Sequence, residues 1–146
     1  MIRLEKLSRE FQVGNQVVHA LDEVDLEIKE NEYVSIMGVS GSGKSTLLNI
    51  LGLLDTPTSG DYILSGINTS KMDDDEMAGI RSTKIGFIFQ SFHLIPRLTA
   101  FENIEMPMIL SGMNPKERSV KVSSALEKVG LTDRSDHKPE QLSGGQ

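Results

Sequence analysis

Residues 38–46, Gly-Val-Ser-Gly-Ser-Gly-Lys-Ser-Thr, combine glycines, one lysine and hydroxyl side chains in the order G-x-x-x-x-G-K-[ST]. The glycines let the backbone curl so that successive N–H groups point into one concavity. A helix that begins directly after the loop would add its positive end to the same place. The pattern therefore predicts a binding site for a polyphosphate.

The chemistry assigns a part to each group of this loop. Backbone amides from Gly41 to Thr46 are expected to hold the α- and β-phosphates, and the Lys44 ammonium is expected to bridge β- and γ-oxygens. The Ser45 hydroxyl is expected to bind Mg²⁺, which keeps its other positions for water and phosphate oxygens. The predicted binding residues of the loop are Gly38, Ser40, Gly41, Ser42, Gly43, Lys44, Ser45 and Thr46.

Composition excludes several other classes of function. The chain of 146 residues has a formal charge of −6, whereas a nucleic-acid-binding protein would show a basic surface. It has no cysteine, and its three histidines show no metal-ligand spacing. The N-terminus does not resemble a signal peptide, and the apolar runs are too short to cross a bilayer. We therefore expect a cytosolic protein or a peripheral partner of a membrane-spanning one.

The first part of the chain has the pattern of an α/β fold. Residues 33–37 are predicted to form a buried strand before the loop, and residues 45–54 a helix after it. Residues 2–30 and 60–68 are predicted to form mainly antiparallel strands, since residues 24–28 alternate strictly between apolar and acidic side chains. The apolar residues 85–89 are predicted to form a further strand that ends at Gln90.

The remainder is predicted to be helical. One helix is expected over residues 99–110, interrupted at Pro107. Asn114, Pro115 and Glu117 form a complete start signal for the next helix, which Gly130 should end. The change in pattern near Pro96 predicts two regions: a nucleotide-binding core with an antiparallel β subdomain over residues 1–95, and a helical subdomain over residues 96–146.

Residues 142–146, Leu-Ser-Gly-Gly-Gln, are a second motif. With the phosphate loop and Gln90 before them, they give the chain the motif order of the ATP-binding cassette (ABC) ATPases, which it resembles over all 146 residues. Residues 34–38, 85–96, 98–103 and 137–139 are most similar to the exporter-type ATPases of lipoprotein release and macrolide export. The resemblance implies ATP and Mg²⁺ as ligands and a P-loop NTPase core.

The resemblance also implies site residues outside the loop. Phe11 matches the adenine-stacking aromatic of the family, usually Tyr, and lacks only the hydroxyl. Gln90 matches the glutamine that reaches Mg²⁺ and the attacking water, so Lys44 and Gln90 are the predicted catalytic residues. Ser143 and Gly145 match signature residues that contact the γ-phosphate held by an opposite subunit, with Ser143 capping a helix.

The chain departs from the family pattern at its end. The second acidic motif of the family, with its catalytic base, lies beyond the signature and has no counterpart among these 146 residues. We therefore expect a piece of a longer cassette, with an incomplete P-loop core and little ATP hydrolysis by itself.

Three functions fit the resemblance. The first is a transport ATPase subunit, acting as a homodimer of nucleotide-binding subunits on an integral membrane permease, at the cytoplasmic face of the cell membrane. The second is a cassette ATPase that regulates a membrane partner in cell division without transport. The third is a soluble cassette of DNA repair or translation, a class that tends to carry long insertions or paired cassettes, and these 146 residues show neither. The sequence does not identify the cargo.

Overall fold

The computed structural model describes residues 1–90 and 92–146 of the chain. It consists of two compact units, Met1–Ile88 and Phe89–Gln146. The regions 1–95 and 96–146 were predicted from the change of residue pattern near Pro96, and that division stays a prediction. No helix among the described residues is long and apolar enough to cross a membrane.

An antiparallel sheet forms the first unit's framework. Strands β1 (Ile2–Val13) and β2 (Gln16–Ile28) make a hairpin whose tight turn holds Gly14 at a φ of 58°. Strands β3 (Ser59–Leu64) and β4 (Ile67–Asn68) complete the sheet in the order β2-β1-β3-β4. The prediction of antiparallel strands over residues 2–30 and 60–68 is confirmed.

Two helices pack on this framework. Helix α1 (Lys44–Leu51) begins at the phosphate loop, and helix α2 (Asp74–Lys84) begins with a reciprocal capping box between Asp73 and Glu76. The sheet and the helices share one apolar core. Its buried members are Leu4, Leu7, Leu21, Ile50, Leu53, Tyr62, Leu64 and Met77.

Residues 33–37 and 85–89 are not strands, and their prediction was wrong. Neither segment belongs to the four-stranded sheet of the described residues. Tyr33 is 95% exposed, and Ile88 is fully exposed. An apolar run forms a strand only when a neighbouring strand exchanges backbone hydrogen bonds with it, so composition alone did not decide these segments.

Helices dominate the second unit. Helix α3 (Ala100–Leu110) begins with a capping box between Thr99 and Glu102, and helix α4 (Pro115–Lys128) has Asn114 as its N-cap. Short 3₁₀ turns follow at Thr132–Arg134 and Pro139–Gln141.

Both helix predictions for this unit are confirmed, except for the predicted interruption at Pro107. Helix α3 continues through Pro107, because a proline removes only one backbone donor and the next turn stays bonded, with Ser111 N–H donating to the Pro107 carbonyl at 3.1 Å. The two helices are joined by an ion pair of Arg118 Nε and Glu105 Oε1 at 2.9 Å.

Tyr62 ties the sheet to the end of α1. Its side chain is 1% exposed, and its hydroxyl donates to the Leu51 carbonyl at 2.8 Å. That carbonyl belongs to the last turn of α1, where helix carbonyls have no partner within the helix. Burial raises the pKa of Tyr62 to about 12 from the ordinary value of 10.0.

We expect the stability of the wild-type protein to fall between pH 10 and 12 more steeply than that of Tyr62→Phe. In this window the unfolded tyrosine has lost its proton and the folded one keeps it, so rising pH favours unfolding by up to about 1.4 kcal/mol per pH unit. Urea unfolding at pH 8 to 11 measures the difference. Tyr33→Phe is the matched control, since Tyr33 is 95% exposed. Parallel pH profiles of wild type and Tyr62→Phe would contradict the expectation.

Candidate functional site

The phosphate loop takes a backbone course that only glycine adopts easily. Gly41 and Gly43 have φ angles of 81° and 84°, in the left-handed region. Gly43 also lies against β2, where an added Cβ would come 2.3 Å from the Ala20 carbonyl oxygen. The loop is therefore held closely to the hairpin at this point.

The loop delivers the N-terminus of α1 to the site. Gly43 is the N-cap, no side chain caps the helix, and no acidic residue lies in its first turn. The first hydrogen bond within the helix runs from Leu47 N–H to the Gly43 carbonyl at 2.9 Å. The backbone N–H groups that precede Leu47 therefore have no partner within the helix. This arrangement of donors and positive potential suits an anion.

Lys44 bends back over the loop that precedes it. Its ammonium donates to the carbonyl oxygens of Gly38 at 2.8 Å and Val39 at 2.6 Å, and lies 3.4 Å from Ser42 Oγ. These short contacts hold the positive charge against the backbone of the loop. An anion in the loop would meet both the ammonium and the backbone amides.

The loop and β2 enclose a cavity of about 560 Å³. Ser40, Gly41, Gly43, Lys44, Ser45 and Thr46 line it from the loop and α1, and Val18, His19 and Ala20 line it from β2. Six of the eight predicted loop residues therefore face one space. Residue types and spacing did not predict the three β2 residues, because their approach depends on the hairpin's packing against Gly43.

Phe11 lies beside this cavity rather than in its lining. The register of the hairpin pairs it with Val18, which does line the cavity. The Phe11 side chain is partly exposed, at 37%. Phe11 on β1 therefore lies across from a residue of β2 that forms part of the cavity wall. Its role in stacking on the base remains a prediction.

Gln90, Ser143 and Gly145 belong to the second unit. The resemblance implies a helix that Ser143 caps; in this chain the signature forms a turn in which Gln146 N–H donates to the Ser143 carbonyl at 2.9 Å. The Gln146 side-chain oxygen accepts from Ser143 N–H, also at 2.9 Å. The three residues after Ser143 make one turn, fewer than a stable helix requires.

The described residues contain no group of three or more His, Cys, Asp or Glu side chains placed to hold a metal ion. The Ser45 hydroxyl at the cavity is an oxygen donor of the kind that Mg²⁺ accepts, and Mg²⁺ commonly binds with few protein ligands when phosphates and waters supply the rest. The donor set at the loop therefore fits a magnesium–polyphosphate complex better than a free metal ion.

A family model described as ABC transporter matches residues 21–146, which include the phosphate loop and the signature. The chain belongs to the ABC transporter family. This finding confirms the resemblance drawn from the motifs.

Individual relatives agree with the family assignment. The ABC transporter ATP-binding protein YknY of Bacillus subtilis is 53% identical over the whole chain, which spans 64% of that relative. The macrolide export ATP-binding/permease protein MacB of Rhodopseudomonas palustris is 50% identical. The match covers 99% of this chain and 22% of the length of MacB. This ABC chain therefore spans part of the length of each.

Solved structures give the same result for the fold. The ATP-binding cassette MJ0796, from a Methanocaldococcus jannaschii protein, matches with a TM-score of 0.86 and 48% identity over the whole chain and 65% of its own length. That structure is described as a dimer in a post-hydrolysis state bound to ADP and Pi. The predicted fold class, α/β with a P-loop core, an antiparallel β part and a helical part, is confirmed.

Proposed function

We propose that this ABC chain binds MgATP through residues 38–46 and serves as the ATP-binding part of a transport ATPase. The cavity shared by the phosphate loop and β2 carries the proposal, because it combines uncapped helix amides with a lysine ammonium. These groups are donors, and a triphosphate is a chain of acceptors.

Different groups of the loop would contact different parts of MgATP. The amides that lead into α1 hold phosphate oxygens, and the Lys44 ammonium exchanges its carbonyl contacts at Gly38 and Val39 for β- and γ-oxygens. The Ser45 hydroxyl would hold Mg²⁺, and Gln90 would orient the attacking water. When bound, MgATP supplies the phosphoryl group for transfer to water.

A second copy and a membrane partner complete the proposal. Ser143 and Gly145 would contact the γ-phosphate bound by the other copy, in a homodimer that acts on an integral membrane permease at the cytoplasmic face of the membrane. The dimeric MJ0796 structure and the combined ATP-binding/permease description of MacB support this arrangement in similar proteins.

Calorimetric titration of this chain with ATP, with and without Mg²⁺, tests the proposal. We expect ATP to bind with and without the metal, more tightly with it, and AMP to bind far more weakly, because AMP lacks the phosphates that the loop and Lys44 contact. Equal affinity for AMP and ATP would contradict the assignment of the loop.

The expectation of slow hydrolysis needs a separate measurement. We propose that this chain binds ATP but turns it over slowly, because Gln90 alone does not replace a carboxylate that activates the attacking water. Phosphate release by the purified chain, compared with Lys44→Ala to exclude a contaminant, measures this. Steady turnover that Lys44→Ala abolishes would show that the described residues suffice.

A further inference from the structure

Arg9, Phe11 and Asp55 form a contact chain at the edge of the first unit. The Arg9 guanidinium carbon lies 4.6 Å from the centroid of the Phe11 ring, within the range of a cation–π contact. The same guanidinium donates to both oxygens of Asp55, with Nε 2.9 Å from Oδ2 and the second nitrogen 2.7 Å from Oδ1. One side chain thus touches a ring and a carboxylate at once.

Asp55 is itself fixed near the end of α1. Its Oδ1 accepts from the Thr56 backbone N–H at 2.8 Å, and it follows Gly52, the C-cap of α1, by three residues. Helix α1 carries the phosphate loop at its other end. The chain of contacts therefore runs from the phosphate loop along α1 to Asp55, and from Asp55 through Arg9 to the Phe11 ring.

The ion pair of Arg9 and Asp55 is partly buried and bidentate, two features that keep its geometry fixed. The Arg9 and Asp55 side chains are 23% and 22% exposed, so water competes less for them than at an open surface pair. A bidentate guanidinium–carboxylate pair also fixes the plane of the guanidinium. Phe11, in contrast, is a partly exposed ring on a hairpin, and Arg9 contacts one of its sides.

We propose that Arg9, held by Asp55, is a positioning residue that orients the Phe11 ring for stacking with the base of a bound nucleotide. This inference rests on the proposed nucleotide-binding function and on a stacking role of Phe11. Arg9 lies over one face of the ring, so an aromatic base would stack on the opposite face. The nucleotide would then be held at two points, the phosphates at the loop and the base at Phe11, on a single frame.

The experiment compares two ligands in the full chain, ATP and inorganic tripolyphosphate, at constant Mg²⁺. Tripolyphosphate has the phosphates and no base, and carries at least as much negative charge as ATP. We expect Arg9→Gln to weaken ATP binding by roughly threefold to tenfold and to leave tripolyphosphate binding unchanged. A loss of positive charge alone would weaken tripolyphosphate at least equally, and partial unfolding would weaken both.

Matched variants separate positioning from other effects. Arg3→Gln is the control, because Arg3 pairs with Glu5 on the same strand and is exposed. Asp55→Asn leaves Arg9 in place and removes its anchor, so it should show the same ATP-specific loss even if Arg9→Gln folds poorly. Phe11→Ala should abolish the effect of Arg9→Gln, since no ring remains to be positioned.

The outcomes distinguish the two proposals. Equal losses for both ligands, no change in the ratio of the two affinities, or an Arg9→Gln effect that persists in Phe11→Ala would each overturn the positioning role while leaving nucleotide binding intact. Failure of wild type to bind either ligand would overturn the proposed function, and the positioning role with it.

Discussion

Lys44→Ala is expected to weaken ATP binding by about 3 kcal/mol, roughly a hundredfold in Kd. The ammonium lies within 2.8 Å of the Gly38 and Val39 carbonyl oxygens, and Lys44 lines the cavity between the loop and β2. Charge-assisted hydrogen bonds to phosphate are about twice as strong as neutral ones, and alanine replaces them with nothing. Calorimetric titration of both proteins with MgATP gives the difference directly.

The control for this prediction is a lysine outside the site. Lys121 is half-exposed and pairs with Glu117 on α4 at 2.9 Å, so Lys121→Ala removes the same charge without touching the loop. We expect its ATP affinity to stay within about twofold of wild type, because an exposed charge that is paired on its own helix is largely screened by water and salt. Similar losses in Lys44→Ala and Lys121→Ala would mean that net charge, rather than a contact at the loop, governs binding.

Gly43→Ala is expected to destabilise the first unit by roughly 3 kcal/mol and to weaken ATP binding more than tenfold. Two costs combine at this position: a φ of 84° that side chains rarely adopt, and a Cβ placed 2.3 Å from the Ala20 carbonyl oxygen. The backbone carbonyl cannot swing aside, so the loop must move away from β2. Urea unfolding and ATP titration measure the two effects.

Gly66→Ala separates the two costs. Gly66 has the same φ of 84°, and an added Cβ there has no atom within 4 Å. We expect this variant to lose only about 1–2 kcal/mol, the cost of the left-handed backbone alone, and to bind ATP normally. Equal destabilisation by both substitutions would show that the close approach of Gly43 to β2 is unimportant.

Short-range signals in the sequence were dependable. The helix start at Asn114 and Glu117 appears as predicted, because an N-cap depends on side chains within a few residues of one another. The phosphate loop belongs to the same class. Its residue pattern determined which groups could hold a polyphosphate, and its motif order, confirmed by the family match, identified the ABC transporter family.

Long-range pairing was not available from the sequence. Residues 33–37 and 85–89 have strand composition, yet neither is in the sheet, because a strand needs a partner as well as suitable side chains. The local residue pattern thus indicated a preference for extended backbone, and the availability of a neighbouring strand decided whether a β-strand formed.

Residue types and spacing alone predict that a loop of glycines, one lysine and one serine binds a magnesium polyphosphate. The surroundings of that loop follow from packing between elements. Val18, His19 and Ala20 reach the cavity because Gly43 lets the loop approach β2, and Arg9 meets Asp55 across 46 positions of sequence. Such contacts arise from packing between elements, which residue spacing along one chain does not encode locally.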